Sequence, residues 1–206
     1  RYWLMANAPE SSDSSFTFES FVNTVNKDLN GVLGNFAQRV MKMTASKLGS
    51  QIPEGGELQT EDKELIKILQ IRVQDYFKYL NEMEFRKAAA ELRAIWVEGN
   101  NYISTTEPWT VIKEDETRAA TILRLCLNLV RIYAVLSAPF MPDTAEKIMA
   151  KFGLTSKDMP SLKGFNVEKE ISALKAGHSF EAGEALFERI TPEKAAELQQ
   201  KYSGAE

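Results

Sequence analysis

The sequence predicts an all-α fold, a helical bundle of about five helices with a partly irregular C-terminal extension. Through most of residues 16–154, apolar residues recur at spacings of three and four, which is typical of amphipathic helices. No alternation typical of β-strands continues for more than a few residues. Loops rich in glycine or proline separate the periodic stretches, so each stretch is expected to form a helix of its own.

The longest predicted helix begins near Phe16, after a polar turn at residues 11–15, and ends near Gly49. Its apolar residues form one stripe: Phe18, Val22, Val25, Leu29, Val32, Leu33, Phe36, Val40 and Met43. This spacing predicts a single amphipathic helix of about thirty residues.

Capping signals divide the next stretch into two helices. Thr60 and the two acidic residues after it are expected to cap the second helix. The pair Asn81 and Glu84 resembles a capping box, so a break is predicted there, followed by a third helix that includes Tyr102.

A fourth helix is predicted at residues 115–137, and it is apolar on nearly every side. Arg124, Asn128 and Arg131 would be costly in a bilayer, so a buried central helix is the better interpretation. A shorter fifth helix is expected near residues 144–152. Residues 155–190 show weak periodicity, and a last polar helix is predicted near residues 191–202.

The charge balance limits the kind of nucleic-acid contact that the chain can make. The net charge is −4 and the isoelectric point is near 5.3, which argues against a broad basic face that grips phosphates. Any RNA contact is therefore expected to be local. The single cysteine, Cys126, excludes an internal disulfide and suits a reducing compartment, the cytoplasm or an organelle.

The sequence offers no catalytic constellation. Its one histidine, His178, has no partner suited to catalysis and is interpreted as a surface or packing residue. There is no glycine-rich phosphate loop and no histidine pair or Glu-x-x-His spacing that would hold a metal. We therefore expect no catalytic residue, cofactor or metal ion in this chain, and no activity from it alone.

Three residues are candidates for a binding site, although each also has a structural interpretation. Asn35 and Arg39 are four residues apart, so they project from one helix face at the border between core and solvent. Such a pair is usually solvated or hydrogen-bonded to itself. Trp109 follows Pro108 in a loop, where a tryptophan is more often a lid on the core than a stacking platform. Spacing does not decide between these interpretations.

Several separated motifs resemble the methionyl-tRNA synthetase family, in the same order along the chain. The opening Arg1-Tyr2-Trp3-Leu4, with Pro9-Glu10 and Ser12-Asp13, resembles the segment that leaves the catalytic domain of that family. Leu33-Gly34-Asn35 followed by Arg39 resembles its first anticodon-domain helix. Residues 99–103 and Pro108-Trp109 resemble its Asn-x-Tyr-Ile and Pro-Trp elements. The resemblance covers residues 1–154, and residues 183–190 only faintly resemble a family ending.

A second similarity to class I synthetases is rejected. Residues 42–47 loosely resemble the Lys-Met-Ser-Lys-Ser loop of their ATP site, but Met43 stays in phase with the apolar stripe of the first long helix. A continuous helix is predicted there in place of a mobile loop.

The family resemblance implies recognition of a CAU anticodon. Trp109 would stack on the unpaired first base, and Pro108 would rigidify its approach. Asn35 can donate and accept, whereas Arg39 only donates, so together they suit the Watson–Crick edge of cytosine. Lys42 and Lys47 would contact phosphates. One departure is Gly31, which stands where some members carry an asparagine, with Asn30 one residue away.

The resemblance also implies a division of the chain and a larger parent. Residues 1–15 would be a linker from a catalytic domain, residues 16–154 the helical anticodon-binding domain, and residues 155–206 an extension that packs on the bundle or trails it. The parent would charge tRNA(Met) with methionine using ATP and Mg²⁺, with no membrane involved. Two alternatives stay open: the anticodon domain of the isoleucine, valine or cysteine enzyme, and a helical protein-interaction module that binds no RNA.

Overall fold

A computed structural model describes residues 1–10 and 13–202. Ser11 and Ser12 of the predicted polar turn, and residues 203–206 of the predicted extension, lie outside the described residues. Within the described ranges the fold is all-α, and strand pairing is limited to an isolated bridge between Gln51 and Ser179. The helices are α1 (Tyr2–Ala6), α2 (Phe18–Thr24), a π-helical segment (Val25–Gly34), α3 (Asn35–Leu48), α4 (Thr60–Asn81), α5 (Phe85–Thr106), α6 (Pro108–Val111), α7 (Glu116–Ser137), α8 (Pro142–Ala150), a 3₁₀ turn (Ser156–Asp158), α9 (Val167–Glu170) and α10 (Pro192–Tyr202).

Between Phe18 and Ala150, five helical units of nine or more residues form the bundle, which confirms the predicted fold class. They are the continuous run from α2 through the π-helical segment to α3, and then α4, α5, α7 and α8. By length and composition α7 could cross a membrane, but 94% of its most apolar stretch is buried inside the protein. It is the central helix that the sequence predicts, because its apolar residues face neighbours on all sides.

The first long helix differs from the prediction in its middle. It begins at Phe18, where the Thr17 hydroxyl accepts a hydrogen bond from the Ser20 amide at 3.1 Å. The ten residues Val25–Gly34 are π-helical, although the apolar spacing predicted a regular α-helix throughout. Leu29 and Leu33 of this segment are buried in the core.

Contacts from distant residues stabilise the π-helical segment. The Asn100 side chain of α5 donates a hydrogen bond to the Val32 carbonyl at 3.2 Å. A Cβ on Gly34 would lie 3.1 Å from the Phe187 ring, so the missing side chain lets the C-terminal part of the chain approach closely. Short π-helical turns inside α-helices are frequent at functional sites, and this segment is longer than one such turn.

The caps of α4 and α5 differ in part from the prediction, although Asp62 and Glu84 both lie at helix starts. The residue before α4 is Gln59 rather than Thr60, and its amide donates to the Asp62 carboxylate at 2.8 Å. The break between α4 and α5 is confirmed at residues 82–84, with Met83 in a left-handed conformation at φ 58°. The Glu10 carboxylate accepts hydrogen bonds from the first amides of α5, at 2.5 Å from Phe85. An acidic group suits the positive end of that helix.

The C-terminal region first packs against α7. Phe165, Ile171 and Leu174 are buried, and Arg131 of α7 pairs with Glu170 of α9 at 2.8 Å, with both side chains at most 8% exposed.

Residues 181–190, the return segment, then run back to the start of the bundle. Asn26 exchanges two hydrogen bonds with the backbone of Ile190, each at 2.9 Å. Asn30 donates to the Phe187 carbonyl at 3.1 Å. The chain therefore closes on its own first long helix.

Candidate nucleic-acid interface

A tight reversal of the chain carries Trp109. The helix α5 ends at Thr106, and Glu107 takes a left-handed conformation, with φ 40° and ψ 58°. A non-glycine residue in that region costs about 1–3 kcal/mol, and a following proline restricts it further. Pro108 then opens the short helix α6, a position where its missing N–H is not needed.

The reversal leaves Trp109 at the surface. Pro108 is buried, while 38% of Trp109 is exposed. By contrast, Trp96 is fully buried and Trp3 is 7% exposed. Trp109 is therefore placed to offer part of its ring to a ligand, and it does not close over the core as tryptophans in such loops often do.

Arg39 of α3 lies against the ring of Trp109. Its guanidinium carbon is 5.7 Å from the ring centroid, within the range of a cation–π interaction. The Arg39 Nε atom is buried and makes no hydrogen bond among the described residues. A buried donor without a partner is costly, so this atom favours a ligand that brings an acceptor.

The other predicted site residues extend along α3 from Arg39. Asn35 is the first residue of that helix, is exposed, and lies one turn before Arg39 on the same face. Lys42 and Lys47 are both exposed. Between Asn35 and Leu48 the helix has no acidic residue, so this part of an acidic protein presents a local basic surface. The structure thus brings Arg39 and Trp109 into contact and aligns Asn35 with Arg39.

A buried polar cluster lies beneath the reversal, and the sequence interpretation missed it. Asp62 of α4 is fully buried and accepts two hydrogen bonds from the Arg118 guanidinium, at 2.5 and 2.9 Å. The Tyr102 hydroxyl donates to the same carboxylate at 2.5 Å. Burial raises the pKa of Asp62, but the hydrogen bonds from Arg118 and Tyr102 outweigh it and hold the pKa below its usual value. Asp62 thus stays ionised at neutral pH.

Nothing in the local sequence indicates that cluster. Asp62 was interpreted as a favourable charge at a helix N-terminus, which it also is, since it accepts from the Gln59 amide. Its partners Tyr102 and Arg118 lie on other helices, 40 and 56 residues away. Burial raises the pKa of Tyr102 well above its ordinary value, so the phenol stays protonated and donates to Asp62.

Comparison with known proteins identifies the family of the chain. A family profile described as the anticodon binding domain of methionyl tRNA ligase matches residues 52–206. The chain belongs to this family. A second profile, described as tRNA synthetases class I (M), matches residues 1–41 of this chain. These matches favour the methionine enzyme over the isoleucine, valine and cysteine enzymes.

Similar curated proteins are named methionine–tRNA ligase. A methionine–tRNA ligase of Ruegeria sp. (strain TM1040) is 47% identical over 204 residues, which is 99% of this chain and 35% of the relative. A methionine–tRNA ligase of Cereibacter sphaeroides (strain ATCC 17029 / ATH 2.4.9) is 46% identical over the same share of each chain. The chain therefore spans about a third of the length of these relatives.

Solved structures show the same fold. The apo form of Mycobacterium tuberculosis methionyl-tRNA synthetase has a TM-score of 0.80 at 26% identity, covering 93% of this chain and 38% of the other. The same enzyme bound by methionyl-adenylate has a TM-score of 0.75 at 27% identity, covering 91% and 37%. The all-α architecture is therefore that of a known synthetase region.

The Asn-x-Tyr-Ile element of this anticodon-binding domain serves packing. A Cβ on Gly99 would lie 2.1 Å from the Tyr133 hydroxyl, so only glycine lets α5 and α7 approach this closely. Asn100 bonds the π-helical segment and Tyr102 bonds Asp62, while Ile103 is fully buried. These residues hold the elements that carry Arg39 and Trp109.

The remaining sequence interpretations concern residues outside the interface. Residues 42–47 are helical within α3, as predicted, and do not form an ATP-site loop. The His178 Nε2 atom lies 2.8 Å from the Phe152 carbonyl, a packing role as predicted. Cys126 is buried as a free thiol.

Proposed function

We propose that this chain selects tRNA(Met) by binding the first base of a CAU anticodon between α3 and α6. The observation that carries the proposal is the contact of the Arg39 guanidinium with the partly exposed ring of Trp109. An aromatic face and a guanidinium plane are the two surfaces on which proteins commonly stack unpaired RNA bases. Both are present here, on separate elements that the fold holds together.

Stacking on Trp109 would supply affinity without choosing the base. Base–aromatic stacking contributes about 1–3 kcal/mol per base and tolerates any sequence. Pro108, buried at the start of α6, fixes the backbone that presents the ring. Choice of cytosine then has to come from hydrogen bonds.

Asn35 and Arg39 have the donors and acceptors that this choice requires. The Asn35 carboxamide can accept from the N4 amine of cytosine and donate to N3, while Arg39 donates to O2 or N3. A uracil presents the reverse polarity at those two atoms and would leave buried groups unpaired, which costs about 1–3 kcal/mol. The unpartnered Nε of Arg39 supports this role, because an acceptor on the base would satisfy it.

Lys42 and Lys47 would position the backbone of the anticodon loop. They are exposed on α3 beyond Arg39, and lysines bind phosphate without reading sequence. Within an acidic chain these contacts are local, so we expect a shallow dependence of affinity on salt.

The intact parent would place this chain after a catalytic domain. We propose that residues 1–15 lead from that domain, that residues 16–154 form the anticodon-binding domain, and that residues 155–206 extend it. The parent would join methionine to tRNA(Met) with ATP and Mg²⁺. The chemistry would belong to the catalytic domain. The free thiol of Cys126 supports a reducing compartment such as the cytoplasm.

Binding of stem-loop RNAs with CAU and UAU anticodons tests the proposal. Trp109→Ala is expected to weaken binding of both RNAs, by about tenfold or more, because the stacking surface is lost. Tyr202→Ala is the matched control, since that aromatic side chain is 62% exposed at the far end of the chain. Unchanged affinity in Trp109→Ala would overturn the RNA-binding role and leave a protein-interaction module as the better interpretation.

A second pair of variants tests base choice. Asn35→Ala and Arg39→Ala are expected to weaken CAU binding more than UAU binding, so that the preference between the two RNAs narrows. Arg86→Ala, which removes an exposed arginine from α5, is the control. An equal loss on both RNAs would show that Asn35 and Arg39 anchor phosphates and do not read the base.

A further inference from the structure

We propose that Asp62 is a positioning residue for Trp109. Its carboxylate binds one residue on each side of the turn, residues 103–117, that carries the Trp109 ring. This inference rests on the proposed function, since it concerns how the stacking ring reaches its place. Asp62 itself lies on α4, a helix that contributes no predicted base contact.

The two partners of Asp62 flank that turn along the chain. Tyr102 lies one helical turn before the end of α5, and Arg118 lies in the first turn of α7. Residues 103–117, which lie between them, contain α6 and Trp109. One carboxylate binds both side chains, so it sets the distance between the end of α5 and the start of α7. These are the two helix ends that the segment 103–117 connects.

The turn requires such a constraint. Glu107 is held in a left-handed conformation directly before Pro108, and a strained residue of this kind persists only where its surroundings determine it. Asp115 accepts from the Arg118 amide at 2.8 Å, so the backbone of the same arginine closes the turn on the α7 side. Arg118 thus joins the end of the turn to Asp62 through its side chain.

The contact between Asp62 and Arg118 is a specific one. Two parallel N–H···O bonds fix the relative orientation of a guanidinium and a carboxylate, and here the two side chains are 10% and 0% exposed. An asparagine at position 62 would keep the size of the side chain but turn an NH₂ group toward the donors of Arg118. The fork would then lose one acceptor, and α7 would no longer be held in the same place.

The helix α7, which carries Arg118, also packs against α3, the helix that carries Arg39. The rings of Phe36 on α3 and Tyr133 on α7 lie 5.4 Å apart, centroid to centroid. A shift of α7 would therefore disturb the Arg39 side of the proposed base site as well as Trp109.

The test is fluorine NMR of the chain labelled with 5-fluorotryptophan, in which Trp3, Trp96 and Trp109 each give a resonance. Trp109→Ala assigns the relevant signal. In free Asp62→Asn, the Trp109 resonance is expected to shift or broaden while the other two keep their positions. The dissociation constant for a CAU stem-loop is expected to rise by about tenfold, which corresponds to partial loss of one stacked base.

Glu170→Gln is the matched control, because it removes the negative charge from a second buried ion pair, Arg131 with Glu170, between α7 and α9. It is expected to lower the unfolding temperature, as Asp62→Asn does, but to leave the Trp109 resonance and the RNA affinity unchanged. Equal changes in both variants would mean that Asp62 acts only through overall stability. An unaltered Trp109 resonance in folded Asp62→Asn would also overturn the proposal.

Arg118→Lys keeps the positive charge and removes the fork, so it replaces Asp62→Asn if that variant does not fold. A displaced Trp109 resonance in it supports the proposal, and an unchanged one contradicts it. The free-protein spectrum also separates this inference from the proposed function. If Trp109→Ala leaves RNA affinity intact, base stacking is wrong, whereas a displaced Trp109 resonance in Asp62→Asn still shows that Asp62 positions the ring.

Discussion

Gly99→Ala is the single-methyl change that the packing of the bundle resists most clearly. Gly99 lies where α5 crosses α7, and a Cβ at that position would lie 2.1 Å from the Tyr133 hydroxyl and 3.0 Å from the Phe36 ring. The Tyr133 hydroxyl is itself buried and donates to the Ile95 carbonyl at 3.1 Å. The new methyl group therefore displaces a side chain that already has a buried hydrogen bond.

The cost follows from three contributions. Overpacking a core costs about 1–3 kcal/mol, and loss of a buried hydrogen bond costs about 1–3 kcal/mol. Alanine recovers about 1 kcal/mol relative to glycine in a helix interior. We expect Gly99→Ala to lower the free energy of unfolding by about 3 kcal/mol, which lowers the unfolding temperature by about 6–12 °C in a chain of this size.

Urea unfolding of a double-mutant cycle checks the mechanism. Tyr133→Phe alone is expected to cost about 1 kcal/mol, since it removes only the hydroxyl. In the double variant the methyl group meets no oxygen, so its stability is expected to exceed that of Gly99→Ala alone. If the two single costs simply add in the double variant, the steric argument at Gly99 is refuted.

Two further predictions concern acid stability and the return segment. Hydrogen bonds to the Asp62 carboxylate, first among them those from Arg118, hold its pKa below the ordinary 3.8. The ionised carboxylate therefore contributes its full stabilisation of the fold at pH values above 3.8. Its contribution is lost as the pH falls through the lower folded pKa. Acid unfolding of Asp62→Asn is therefore expected to depend less steeply on pH in that window, and an unchanged slope would contradict the assignment. Asn26→Ala removes both hydrogen bonds to Ile190 and is expected to cost about 1–2 kcal/mol and to speed hydrogen exchange at the Ile190 amide. Asn23→Ala, an exposed neighbour on α2, is the control, and equal exchange rates would show that Asn26 does not fasten the segment.

The helices could be predicted because each follows from a local pattern. Residues 115–137 are apolar on nearly every side, which predicts a central helix, and α7 is buried nearly all round. The stripe through Leu29, Leu33 and Phe36 predicts a long first helix, which the structure contains.

The π-helical form of Val25–Gly34 could not be predicted in the same way. Its buried residues Leu29 and Leu33 are four apart, as they would be in an α-helix. What stabilises it comes from remote parts of the chain, such as the amide of Asn100. Local spacing carries no record of these contacts.

The candidate site was predictable only in part for a similar reason. Helical phase aligns Asn35 with Arg39, but it gives no information on the 5.7 Å approach of Arg39 to Trp109 or on the exposure of that ring. Asp62 was recognisable as a helix-capping acid, whereas its bond to Arg118 joins residues that are 56 positions apart. The spacing of residues along the sequence does not show which distant residues a polar side chain contacts in the fold.

The position of the return segment near the end of the chain affects how the protein folds during its synthesis. The side chain of Asn26 bonds a residue that is 164 positions later in the chain, and that of Asn30 one that is 157 positions later. At ordinary rates of synthesis, on the order of ten to thirty seconds separate the emergence of these partners from the ribosome. During that interval the first long helix, which carries Arg39, lacks these hydrogen bonds to the return segment. A chain that stops before residue 187 leaves both asparagines without the backbone that they bind.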